Sequence, residues 1–143
     1  GRDPERTPMQ WDASKFAGFS TATPWLPTAG QHEKVNVAVL SQKNTSFLQL
    51  YKKLFALRGS SNALARGSYE TLDRENPHIF SFVRIFENEQ AVIALNFSNR
   101  SRSYKIPPGY SVAISSVLTR PKRTVTGQLK LRPYEAVVLL AAS

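Results

Sequence analysis

The chain has 143 residues, 41% of them hydrophobic, and a mean hydropathy of −0.31. That length supports one domain with a core of its own, or a small domain plus a remnant of another. No cysteine is present, which excludes disulfides and thiolate metal sites, and His32 and His78 stand too far apart to form a ligand spacing; no metal and no cofactor are expected.

The formal charge of +9 invites a nucleic-acid reading. The basic residues, among them Lys52, Lys53, Arg100, Arg102, Arg120, Lys130 and Arg132, are scattered along the chain without a nucleic-acid-binding motif. A solvated basic face, or one compensated by an acidic part elsewhere, is the expectation, with no nucleic-acid partner. No secretory signal or membrane-spanning run is found, and the longest apolar run, Ala136 to Ala142, is too short to insert in a bilayer.

In chain order, the opening Gly1-Arg-Asp-Pro-Glu-Arg-Thr-Pro-Met-Gln-Trp-Asp12 has neither a helical nor a strand period. Pro4 and Pro8 fix φ and remove donors, so no regular ladder runs through it. Residues 13–42 carry Gly18, Gly30, Pro24 and Pro27 among short polar runs, which predicts a long structured loop. Such loops in compact domains are usually functional. Phe16, Phe19, Trp25 and Leu26 are its candidate apolar anchors.

Residues 46–58 predict a helix. Phe47, Leu50, Tyr51, Leu54 and Leu57 recur at three and four residues, giving one apolar face. Thr45 or Ser46 can cap its start, Arg58 suits its C-terminal end, and Gly59 is the expected stop.

From Gly67 the period changes to two. Strands are expected at Gly67–Arg74, His78–Phe86, Gln90–Asn96, Ser101–Ile106, Tyr110–Leu118 and Tyr134–Ala141, with a short one around Val125–Leu131. Asn76-Pro77, Glu87-Asn88 and Pro107-Pro108-Gly109 punctuate them as turns. Short strands at that spacing predict an antiparallel β-sandwich.

The opening motif, Arg2-Asp3 and Arg6-Thr-Pro-Met-Gln-Trp-Asp12, is followed by Ala17-Gly-Phe-Ser20, Pro24-Trp-Leu-Pro27, Val35-Asn-Val37, Leu50-Tyr-Lys-Lys-Leu54, Leu57-Arg58 and Gly67-Ser-Tyr69. Together these resemble the α-glucosidase (maltase) branch of glycoside hydrolase family 13, the α-amylase superfamily. The resemblance spans the chain, densely in the first half and by pattern in the second. It implies the last part of a (β/α)8 barrel followed by an antiparallel sandwich called domain C. Residues 1–45 would be the loop after the last barrel strand, 46–58 the last barrel helix, and 59–143 the sandwich. Loops after barrel strands face the active site.

The chemistry implied is retaining hydrolysis by two carboxylates about 5 Å apart. In the family these acids lie ahead of the segment that Gly1 opens. No catalytic residue is assigned here, and the chain alone is expected to be inactive without the barrel as its partner. One substrate contact carries over by resemblance. Arg6 matches the arginine that pairs with a carboxylate and contacts the terminal glucose, a role suited to a planar donor fork. That would favour removal of one terminal glucose from a maltose-like or sucrose-like α-glucoside. Arg2 reads as structural, Trp11 and Trp25 as loop anchors rather than sugar platforms, and Asp3 and Asp12 as loop-fixing acceptors.

Asn44-Thr-Ser, Asn96-Phe-Ser and Asn99-Arg-Ser are glycosylation sequons. With the family's usual life they suggest a glycoprotein on the secretory route, extracellular or at the cell surface. A second reading is the ectodomain of a non-catalytic heavy chain of a heteromeric amino-acid transporter, which shares the barrel-plus-sandwich plan. The intact motif around Arg6 favours the enzyme.

Overall fold

The computed structural model describes residues 2–106, 108–121, 124–125 and 127–141. The chain divides into two compact units, residues 1–51 and 52–143.

The first unit is mostly irregular, as the prolines and glycines require. A 3-10 turn spans Asp3–Arg6, with Pro4 in its first turn, where a missing N–H costs nothing. Helix α1, Val37–Ser41, is too short to show a period in the sequence and exists because of its cap: Asn36 is extended (φ −152°, ψ 169°) and its Oδ1 accepts the Val39 N–H at 2.8 Å. Helix α2, Phe47–Ser60, begins in this unit, with the Ser46 hydroxyl accepting the Gln49 N–H at 3.2 Å.

Helix α2 runs past the expected stop at Gly59. It ends instead at Ser61, whose extended backbone (φ −126°, ψ 118°) caps a further helix, α3, Asn62–Arg66. A glycine tolerates helical φ and does not by itself terminate a helix. Arg58 donates to the carbonyls of Leu64 and Ala65, at 2.7 and 3.3 Å, and so serves the end of α3. On α2 the stripe read from the sequence is divided by exposure. Leu50, Leu54 and Leu57 are half-buried, whereas Phe47 and Tyr51 are exposed.

Helix α3 is held by a carboxylate at its positive end. Glu89 accepts from Ala63 N (3.2 Å), Asn62 Nδ2 (3.1 Å) and Ser61 Oγ (3.4 Å). These bonds, led by that from Ala63, hold the Glu89 carboxyl below its usual range. Gly67 then turns the chain into the sheet in a place where only hydrogen fits: a Cβ there would lie 2.4 Å from the Ala63 carbonyl and 2.9 Å from that of Ile85.

The second unit is an antiparallel β-sandwich. Strands β1 (Ser68–Leu72), β2 (Ile79–Phe86), β3 (Glu89–Asn96), β4 (Arg102–Lys105), β5 (Tyr110–Ser115), β6 (Thr124–Val125), β7 (Gln128–Leu131) and β8 (Ala136–Ala141) follow in sequence. Six form one sheet in the order β1-β2-β3-β8-β5-β6, and β4 pairs with β7 in the other. The expected strand around Val125–Leu131 is two strands, because Gly127 at φ 76° breaks it and sends β6 and β7 to different sheets. The stretch expected to continue to Leu118 ends at Ser115, where the chain turns away, and a bulge interrupts its pairing with β8 between Val112 and Ile114.

Alternation sends one side chain in two inward. Ile79, Val83, Val92, Ala94, Val112, Val137 and Leu139 of the large sheet meet Tyr104, Leu129 and Leu131 of the small one in a single core. Burial pushes the Tyr104 and Tyr110 phenols above their ordinary range.

Candidate functional site

The opening motif lies in the first unit, on backbone that is fixed although irregular. Gln10 and Trp11 offer their carbonyls to the N–H groups of Val37 and Ala38, each at 3.0 Å, which ties the motif to the start of α1. Trp11 and Asp12 in turn donate to the Ala17 carbonyl at 2.8 and 3.2 Å. Closing that small loop puts Ala17 at φ 56° and Gly18 at φ 65°. A Cβ on Gly18 would sit 2.6 Å from Asp12 Oδ2, so glycine is required there twice over. Ser14, through its hydroxyl and its N–H, holds the Asp12 carboxyl below its usual range. Asp12 is thus a loop-fixing acceptor.

Arg6 closes the 3-10 turn. Its Nη2 donates to Asp3 Oδ1 at 2.9 Å, and its guanidinium lies 5.6 Å from the centre of the Trp25 ring. Both partners of the ion pair are more than half exposed, so solvent screens it. Asp3 is therefore the carboxylate that orients Arg6 within this unit, and its bond occupies one donor of the fork. Arg2 is exposed. Immediately after Arg6, Thr7 to Gln10 line a cleft of about 250 Å³ with Val35, Asn36, Val37 and Leu40.

The tryptophans do not anchor the loop by burial, as the sequence suggested. Trp25 is 81% exposed and Trp11 51%. The buried points are Pro8, Ala17, Leu26 and Asn36. Small residues and a satisfied amide hold the loop because it is stapled through its backbone: Asn36 Nδ2 donates to the His32 carbonyl at 2.7 Å while its Oδ1 caps α1.

Of the sequons, Asn44 and Asn99 are exposed, but Asn96 is 3% exposed. Its Nδ2 donates to the carbonyls of Arg100 and Arg132, both at 2.8 Å, and its Oδ1 accepts from Ser98 N and Ser98 Oγ. A glycan on Nδ2 would replace one of its two hydrogens and so remove one of these donor bonds, in a space with no room for it. The expectation of glycosylation at Asn96 is corrected on this ground.

One polar cluster was not foreseen. Glu135 is 1% exposed in the second unit. Its carboxylate accepts from Ser115 Oγ (2.6 Å), Arg120 Nε and Nη2 (2.5 Å each) and Arg132 N (2.7 Å). Burial alone would push its pKa up, but the Arg120 fork, the Arg132 N–H and the Ser115 hydroxyl outweigh it and hold the carboxyl low. With every lone pair engaged, Glu135 is a structural keystone and not a proton shuttle. Among the described residues no group of histidines and acids could hold a metal ion.

Residues 1–67 match the family model for the alpha amylase catalytic domain. The chain is 38% identical over 138 residues to the oligo-1,6-glucosidase of Heyndrickxia coagulans and 35% identical over 141 residues to that of Bacillus cereus, in each case across 96% of the chain. It spans about a quarter of the length of these relatives, 24% and 25%, at their C-terminal end. Among solved structures it superposes on the trehalulose synthase MutB from Pseudomonas mesoacidophila MX-45 with a TM-score of 0.84 at 29% identity, over 98% of the chain and 26% of that protein.

Proposed function

Because this chain belongs to the α-glucosidase-type branch of glycoside hydrolase family 13 and corresponds to its C-terminal part, we propose that it completes a retaining, exo-acting α-glucosidase. The observation that carries the reading is the geometry at Arg6. Its guanidinium is fixed by Asp3 through a single Nη2 bond and is more than half exposed over Trp25. Donors of the fork are left for the hydroxyls of a terminal glucose. Arg58 and Arg120, by contrast, each commit two guanidinium nitrogens to acceptors within the fold.

In this reading residues 1–58 complete the barrel and 59–143 form the flanking sandwich. The nucleophile and the general acid belong to the rest of the protein, so these 143 residues alone turn over nothing. The substrates are short sugars with a terminal α-glucosidic bond, maltose-like or sucrose-like. The names of the oligo-1,6-glucosidase relatives add α-1,6-linked glucose to that set. A secretory destination rests on Asn44 and Asn99 alone.

The test compares the chain with a longer protein that carries the barrel, using a chromogenic α-glucoside followed by maltose, isomaltose and sucrose. Release of glucose by the longer protein, with none from the chain, is expected. Turnover by the chain alone would contradict the reading.

A further inference from the structure

The chain's charge is concentrated in one stretch. Between Glu89 and Glu135 the sequence contains eight lysines and arginines and no acid, which is +8 of the formal +9. Linear order hides what the fold does with them. Pairing of β4 with β7 sets Ser103 opposite Lys130 and Lys105 opposite Gln128. Tyr104, Leu129 and Leu131 point into the core, so the alternate positions Ser103, Lys105, Gln128 and Lys130 face outward, all exposed. Ser101 and Arg132 extend that face and are exposed as well. It holds three cations and three neutral donors or acceptors, and no carboxylate.

The acid beside Arg120 is already spent, and Asp73 lines a separate cleft with Lys105. Glu135 is buried and bound to Arg120, and the same guanidinium donates through Nη2 to the Lys130 carbonyl at 2.8 Å. Arg120 is thereby locked as a rigid wall beside β7. A cleft of about 430 Å³ opens there, lined by Ser101, Arg120, Pro121, Lys130 and Arg132. Lys130 and Arg132 stand at its edge with exposed side chains, while Ser101 adds a hydroxyl.

We propose that this cleft and the outer face of β4–β7 form a binding site for a small phosphorylated ligand. A multiply charged oxyanion suits it for three reasons. Lys130 and Arg132 meet no carboxylate among the residues that line the cleft; arginine and lysine are the side chains that take phosphate oxygens, with serine hydroxyls as neutral donors; and the concave shape suits a compact ligand better than an extended one. The site is independent of the glucosidase reading, since it uses none of the residues of the opening motif.

Pyrophosphate is the probe, titrated into the full chain by calorimetry and by amide NMR at low ionic strength, with maltose as the neutral control. Saturable binding is expected, with shifts centred on residues 101–105 and 128–132 and weakening as chloride is raised. Lys130→Gln/Arg132→Gln should weaken it by about fivefold or more, given the usual size of exposed charge interactions. Lys34→Gln/Lys43→Gln, which removes the same amount of exposed charge outside the proposed site, should leave it within about twofold. All four side chains are exposed, so both variants are expected to fold. Equal losses in the two variants, or shifts spread over the whole basic surface, would mean that net charge alone attracts the anion and would overturn the proposal. Undiminished binding in the first variant would overturn it too.

Discussion

Replacing Glu135 by alanine removes the acceptor for four hydrogen bonds at once. Its side chain is fully buried and that of Arg120 is 11% exposed, so the guanidinium would be left largely desolvated without a counter-charge. Removing one member of a buried pair costs about 3–5 kcal/mol, and the Ser115 hydroxyl and Arg132 N–H are orphaned in addition. Urea denaturation followed by far-UV circular dichroism should give a loss of about 3 kcal/mol or more. The double variant Glu135→Leu/Arg120→Met, which removes both charges and keeps the volume, should recover much of that loss. The pH dependence carries a definite sign. The folded carboxyl titrates below its unfolded value, so its stabilisation is fully present above about pH 4.3, the ordinary glutamate range, and is lost as pH falls through the folded pKa. Glu135→Gln should flatten that acid limb. A Glu135→Ala variant within about 0.5 kcal/mol of the parent, the scatter expected of an ordinary surface substitution, would refute the assignment of this cluster as the keystone of the sandwich.

Three further outcomes are expected. Gly67→Ala should lose about 1–3 kcal/mol, because its Cβ meets backbone atoms of α3 and β2 and not a side chain that could swing away; a thermal melt checks this. Leu129→Ala, at a position 1% exposed between the two sheets, should cost about 2–5 kcal/mol in the same denaturation assay. Expressed through a eukaryotic secretory route, the chain should acquire glycans at Asn44 and Asn99 and none at Asn96, a pattern that glycosidase digestion and peptide mass spectrometry would read directly.

Much of the sandwich was legible because a strand with one buried face must alternate, and β2, β3 and β8 keep that period over most of their length. What alternation does not encode is which sheet a strand joins. β4 and β7 look like any other strand in the sequence, and their separation follows from Gly127 and from the core volume that Tyr104, Leu129 and Leu131 fill. Helices α1 and α3 are five residues each, shorter than two turns, so only their caps, Asn36 and Ser61, could have signalled them. The Glu135 cluster was invisible for a different reason. Ser115, Arg120 and Arg132 come from separate segments, and the sole hint in the sequence is that Glu135 is the first acid after Glu89.

At the opening motif, the resemblance located Arg6, but the features that hold the loop are local backbone facts. Ala17 adopts a left-handed conformation that its residue type does not announce, and Asp12 is committed to Ser14. Trp25 is a surface ring under a cation where the sequence suggested an anchor.

The measurement that bears most directly on the account is the steady-state kinetics of Arg6→Ala in a longer protein that carries the barrel. If Arg6 donates to the terminal glucose, KM rises and kcat/KM falls by roughly ten- to a hundredfold, as expected for loss of a charged hydrogen bond worth about 1.5–3 kcal/mol. Arg6→Lys, which keeps the charge without the fork, recovers only part of it. A folded Arg6→Ala enzyme with unchanged kcat/KM would contradict the account and leave Arg6 as no more than the partner of Asp3.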